Sequence, residues 1–94
     1  MELSKIVYSN HAVQKMFERN INADEIEYAL KNGINIKKYP NDTPYPSKLL
    51  LAFINGRPLH IVYSIDQENS ATVIITCYEP SQKIWESDYK TRKT

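Results

Sequence analysis

Lys48-Leu49-Leu50-Leu51-Ala52-Phe53-Ile54, then Asn55-Gly56, then Arg57-Pro58-Leu59-His60-Ile61-Val62-Tyr63-Ser64-Ile65, is the stretch on which the fold turns. Two apolar, β-forming runs flank a two-residue Asn-Gly, the pair best able to take positive φ at both positions of a hairpin turn. The pattern predicts strands at Lys48–Ile54 and Pro58–Ile65. C-terminal to them, Asp66 to Ser70 make a polar turn and Ala71 to Tyr78 form another strand, which Pro80 ends. N-terminal to them, Pro40, Pro44 and Pro46 hold an extended loop, and Ile34 to Tyr39 reads as a short strand.

Further upstream the period lengthens to that of helices. Ser9 or Asn10 caps a helix running to about Arg19, with Ala12, Val13, Met16 and Phe17 on one side. Asn22 caps a second helix, and Glu25 three residues later has capping-box spacing. Ile26, Ala29 and Leu30 are its apolar stripe, and Gly33 stands where a left-handed C-terminal cap is expected. The expectation is an α+β domain in which two N-terminal helices pack on a four-stranded, mainly antiparallel sheet. In the tail, Ile84-Trp85 is too apolar to stay in water, so Trp85 is expected to pack back on the domain.

Ninety-four residues suffice for one modest core and so for one domain spanning residues 1–94. With 41% of residues hydrophobic and 24% charged, collagenous and disordered classes are excluded. The longest apolar run, Leu49 to Ile54, falls far short of the roughly 20 residues of a membrane span. The opening Met1-Glu2-Leu3-Ser4-Lys5 lacks a signal-peptide pattern, and Cys77 has no second cysteine to pair with. A cytoplasmic location is expected. The net charge of +1 advertises no polyanionic partner at the scale of the whole molecule. Charge is nonetheless uneven: residues 34–60 carry Lys37, Lys38, Lys48 and Arg57 against Asp42, a local excess of positive charge.

His11, Lys15 and Arg19 recur at four-residue steps and form one ridge along the first helix, opposite the Val13 and Phe17 stripe. The ridge reads either as a solvated helix face or as part of a site. His60 interrupts an apolar strand and must be hydrogen-bonded, as a satisfied core histidine or as a residue facing a groove. The Asn-Gly turn pairs Ile54 with Arg57 and puts His60 on the face of Leu51 and Phe53. If Ile65 then pairs with Ala71, Thr76 lies opposite His60, with Tyr78 two residues along. Cys77 falls on the other face, so it forms no nucleophilic dyad with His60. Tyr78 is a packing phenol or a proton donor, and Lys90, Arg92 and Lys93 are a solvated end or backbone contacts to RNA. No glycine-rich phosphate loop and no zinc-ligand spacing occurs, and no cofactor is expected. The remaining chemistry is metal-free acid–base catalysis, a set suited to RNA. The 2′-hydroxyl needs a base, the leaving 5′-oxygen an acid, and the phosphorane fixed positive charge.

Ser9-Asn10-His11-Ala12 with Lys15-Met16 and Arg19, Gly56-Arg57-Pro58-Leu59-His60-Ile61-Val62, and Thr76-Cys77-Tyr78-Glu79-Pro80 with Trp85, Asp88, Tyr89 and Arg92 resemble the small prokaryotic family known as domain of unknown function 4258. That family is similar in fold to barnase/RelE-like ribonucleases, and many members look like toxins encoded beside a small antitoxin with zinc-finger and helix-turn-helix segments. The resemblance implies a metal-independent endoribonuclease toxin with an RNA substrate and a cognate antitoxin. In it His11 or His60 is the base, Tyr78 the acid, Arg19 and Arg57 phosphate stabilisers, and Lys15 and Arg92 RNA contacts, to which the basic tail adds Lys90. Lys15 replaces the commoner Arg and loses its bidentate fork. The other reading is a non-catalytic module of the same fold that binds protein or RNA.

Overall fold

The computed structural model describes residues 5–94; residues 1–4, which hold most of the opening stretch read above for a leader, lie outside them. The chain runs β1 (Ile6–Tyr8), α1 (Asn10–Arg19), α2 (Ala23–Asn32), β2 (Ile34–Tyr39), β3 (Ser47–Ile54), β4 (Arg57–Asp66) and β5 (Ala71–Tyr78). The class is α+β, and the sheet has five strands in the order β1-β5-β4-β3-β2. The expected four are all present. The additional strand, β1, lies parallel to β5 and makes the sheet mixed. Three residues are too few to show a period of two, so Ile6-Val7-Tyr8 carries no pattern of its own.

The Asn-Gly hairpin forms as read. Asn55 and Gly56 both take positive φ, 53° and 81°, and Ile54 pairs with Arg57. From there Leu51 lies opposite His60. The next hairpin differs from expectation twice. Asp66, not Ile65, pairs with Ala71, and the β4–β5 register shifts by one residue between Val62 and Tyr63. The two single steps add, so Tyr78 rather than Thr76 stands opposite His60. Because the total slip is two, side chains keep their faces.

The bulge has a packing reason. Ile74 and Cys77 are both fully buried in the helix-side core, yet they are three residues apart and a regular strand would point them to opposite faces. The extra residue, Ile75, lets both face the helices. Ser9 holds it there: its hydroxyl donates to the Ile75 carbonyl at 2.9 Å and accepts from the Ala12 N–H at 3.0 Å as the cap of α1.

The helix-side core is built from Ala12, Ile21, Ile26, Ala29 and Leu30 against Leu50, Ala52, Leu59, Ile61, Ile74 and Cys77. Leu49, Leu51 and His60 alternate with these residues and are also buried, so both sheet faces are covered. That is why β3 reads as a continuous apolar run. The second cover is the tail, in which Trp85 is 6% exposed as expected.

Two helix expectations are corrected. On α1, Ala12 is buried and Met16 packs against the core, but Val13 is 53% and Phe17 90% exposed. Three turns of helix touch the sheet along a narrow arc. Positions 13 and 17 lie about 100° beyond positions 12 and 16, outside that arc. The second correction is Gly33, which is extended (φ −80°, ψ 178°) rather than left-handed. Its requirement is close approach: a Cβ there would stand 2.7 Å from the Ala29 carbonyl oxygen, from Leu50 Cδ2 and from the Leu51 carbonyl oxygen. The left-handed cap in this region belongs to Asn20 at the end of α1, with φ 55°.

Candidate functional site

His60 is centred on β4, on the sheet face away from the helices, and is fully buried. Its Nε2 is 2.8 Å from the Tyr89 carbonyl oxygen, which can only accept, so Nε2 carries the proton. Nδ1 is then an acceptor, and the Tyr78 hydroxyl donates to it at 3.2 Å. Trp85 closes over the imidazole edge-on, with ring centroids 4.6 Å apart. Arg92 lies across the Trp85 ring at 5.8 Å, and an antiparallel bridge joins the two residues. The tail thus folds into a small loop that Asp88 holds by accepting from the Lys90 and Thr91 N–H groups. Tyr89 takes φ 58° within it.

The electrostatics follow from this packing. Burial holds the His60 pKa below its ordinary value, partly offset by the Tyr89 carbonyl. Burial also pushes the Tyr78 phenol up, the nearby Tyr39 phenol adds to the rise, and the Arg92 guanidinium opposes it. At neutral pH the pair is therefore an uncharged phenol donating to an uncharged imidazole. Burial likewise raises the thiol of Cys77, which lies on the opposite sheet face.

The remaining sequence-derived residues lie elsewhere. His11, Lys15 and Arg19 are on α1, across the sheet from His60, with Lys15 Nζ 3.4 Å from Glu18. Arg57 is on the helix side as well. Its guanidinium donates to Glu79 at 2.9 Å and to the Arg19 and Asn20 carbonyls at 2.8 and 3.4 Å, and it stands 3.8 Å from Glu25. This arginine closes the C-terminal end of α1 onto the sheet. Lys90 is exposed on the tail. Of the residues read from the sequence, the fold therefore brings together His60, Tyr78 and Arg92.

Beside this trio, on the same face, is an open groove of about 590 Å³ lined by Lys38, Tyr39, Asn41, Asp42, Ser47 and Val62. Val62 is two residues from His60 on β4, and Tyr39 pairs with Ser47. Sequence reading left these groove residues out because they meet only through the β2–β3 register. The one signal available was the local excess of lysine. Among the described residues no group of three His, Cys, Asp or Glu side chains is placed to hold a metal ion. No helix among them is long and apolar enough to cross a membrane.

The family model described as a domain of unknown function (DUF4258) matches residues 8–79, from the end of β1 to just past β5. The chain belongs to this family. The DUF4258 match takes in His11, Arg19, Arg57, His60 and Tyr78, while Trp85, Lys90 and Arg92 follow it. No curated protein and no solved structure matches the chain.

Proposed function

We propose that this DUF4258 domain is an endoribonuclease whose reacting phosphate lies on the sheet face beside Tyr78. The observation that carries the reading is the Tyr78–His60 hydrogen bond with the Arg92 guanidinium close by. Tyr78 is partly exposed and His60 is not, so Tyr78 touches substrate and His60 acts through it as a positioning residue. The 2′-hydroxyl oxygen attacks phosphorus and gives its proton to the Tyr78 oxygen, while Tyr78 passes its own proton to His60 Nδ1. As the bond from phosphorus to the 5′-oxygen breaks, the protons return along the same path to that oxygen. The products are a 2′,3′-cyclic phosphate and a free 5′-hydroxyl. Arg92 stabilises the phosphorane charge. The family resemblance supports the reaction class and a toxin role restrained by an antitoxin.

One observation favours the second reading, a module that binds RNA without cutting it. His60 is fully buried with both ring nitrogens engaged, as a satisfied core histidine would be. The two readings separate on one experiment: purified protein is incubated with mixed RNA in excess chelator and the ends are analysed. Cyclic phosphate ends are expected, with Tyr78→Phe slower by roughly 100-fold or more and His11→Ala and Arg19→Ala near the parent rate. A magnesium requirement rejects the mechanism, and RNA binding without cleavage selects the module.

A further inference from the structure

The local excess of lysine in residues 34–60 is not used by the proton-transfer pair. Arg57 spends its charge on Glu25, Glu79 and two carbonyls. Lys37 and Lys38 are different: both are exposed, and neither lies within 4.0 Å of a carboxylate oxygen among the described residues. Lys37 Nζ stands 5.5 Å from the Tyr39 ring centroid, and Lys38 lines the groove that Tyr39 walls.

We propose that the groove walled by Tyr39, Asp42 and Lys38 is a nucleotide subsite that holds the RNA unit next to the reacting phosphate and selects against uracil. This rests on the reading of the sheet face as an RNA site and adds to it where the neighbouring base sits and which bases it accepts.

Four observations converge. The volume, about 590 Å³, accommodates a nucleotide with some water and lies within the usual range for small-ligand sites. Its parts match a nucleotide's parts: an aromatic ring for a base to stack on, and the Lys37 ammonium, on the same strand face as that ring, for a phosphate. The carboxylate of Asp42 is held in one orientation. Its Oδ2 accepts from the Ser47 hydroxyl at 2.6 Å and its Oδ1 from the Thr43 N–H at 3.1 Å, which leaves each oxygen with a lone pair free. Finally, the groove lies near the reacting pair: Val62, which lines it, is two residues from His60 on the same face of β4, and the Tyr39 phenol is near enough to act on the Tyr78 phenol.

The selectivity follows from Asp42. A fixed carboxylate accepts hydrogen bonds only, so it suits bases that present amino N–H groups, as adenine, cytosine and guanine do. Uracil flanks its single ring N–H with two carbonyl oxygens, which the carboxylate repels. A stacked base without an amino group therefore gains the ring contact and loses the edge contact.

The test is equilibrium binding of fluorescent 2′-O-methylated hexanucleotides, which lack the attacking hydroxyl and stay intact. The A and C hexamers are expected to bind more tightly than the U hexamer. Tyr39→Ala should weaken the A hexamer by roughly ten-fold, as loss of one stacking platform does, while Tyr39→Phe stays near the parent. Lys37→Ala, at an exposed position, should weaken all hexamers alike, and Asp42→Asn should narrow the gap between A and U. Equal affinity for A and U in the parent, or indifference to both Tyr39→Ala and Lys37→Ala, overturns the subsite. Cleavage of unmodified RNA is measured on the same variants. Cleavage that persists with Tyr39 and Lys37 both indifferent sinks the subsite alone, whereas base-selective binding without cleavage sinks the nuclease reading alone.

Discussion

His60 shows how one side chain's partners set its chemistry. Folding removes it from water and holds its pKa below the value of about 6.5 that it has in an unfolded chain. Between those two pKa values the unfolded chain binds the proton and the folded one does not. The contribution to stability is thus fully present above pH 6.5 and is lost as pH falls through that window towards the folded pKa. Thermal melts should show the melting temperature dropping as pH falls below about 6.5, well above the range where Asp66 and Asp88 titrate. An imidazole titration by nuclear magnetic resonance should place the His60 midpoint below 6.5; a midpoint above it would contradict the burial argument. Arg57 is the second instructive residue. It was read as a phosphate stabiliser, yet its donors are directed at Glu79 and the end of α1. Arg57→Ala should cost roughly 1–2 kcal/mol in urea unfolding, the discount reflecting its partial exposure. Arg57→Lys should recover only part of this, because one ammonium cannot span the carboxylate and both carbonyls.

At the scale of elements, the tail is a built cover, not a loose end. Trp85 lies against His60, Tyr89 meets Phe53 edge-on with centroids 6.1 Å apart, and Lys93 N–H donates to the Ile84 carbonyl at 2.8 Å. Trp85→Ala should destabilise the fold by about 3 kcal/mol and return the His60 midpoint towards its ordinary value, read by the same titration. A variant as stable as the parent would show that the tail's packing contributes little. The contrasting element is α1, whose Val13 and Phe17 remain in water while Ala12 and Met16 meet the sheet. Periodicity located the helix and, in Ala12 and Met16, its packing side, but drew the arc too wide, because the small alanine lets the backbone come closest and so narrows the contact to its own side.

For the molecule as a whole, a net charge of +1 means that attraction for RNA has to come from a few placed cations. Lys37 and Arg92 lie on the face of the site, and Lys38 lines its groove at the edge of the sheet. About three phosphate contacts to a single strand give a slope of about −2 in the plot of log affinity against log salt. Anisotropy titrations between low and moderate salt check this. A slope several-fold steeper would mean that α1's Lys15 and Arg19 or the tail's Lys90 also meet the strand, and that the binding surface wraps around the sheet edge.

Local chemistry alone accounts for much of this protein. Asn55-Gly56 made the central hairpin and its register, Ser9 and Asn22 started both helices, and the alternation of β4 put His60 on the face opposite Leu59 and Ile61. These are effects of neighbours within a few residues, where turn and cap geometry is encoded. Long-range packing supplied the rest. β1 pairs with a strand more than sixty residues away, the Ile75 bulge exists because Ile74 and Cys77 both need the helix-side core, and that bulge together with the Asp66–Ala71 pairing moves Tyr78 opposite His60. Gly33 is required by the close approach of Ala29, Leu50 and Leu51, not by a left-handed cap. The site has the same origin. Tyr39, Asp42, Tyr78 and Arg92 come from three separated segments, and only closure of the sheet and folding of the tail bring them to one face, because side-chain proximity across strands depends on register and no short stretch of chain carries it.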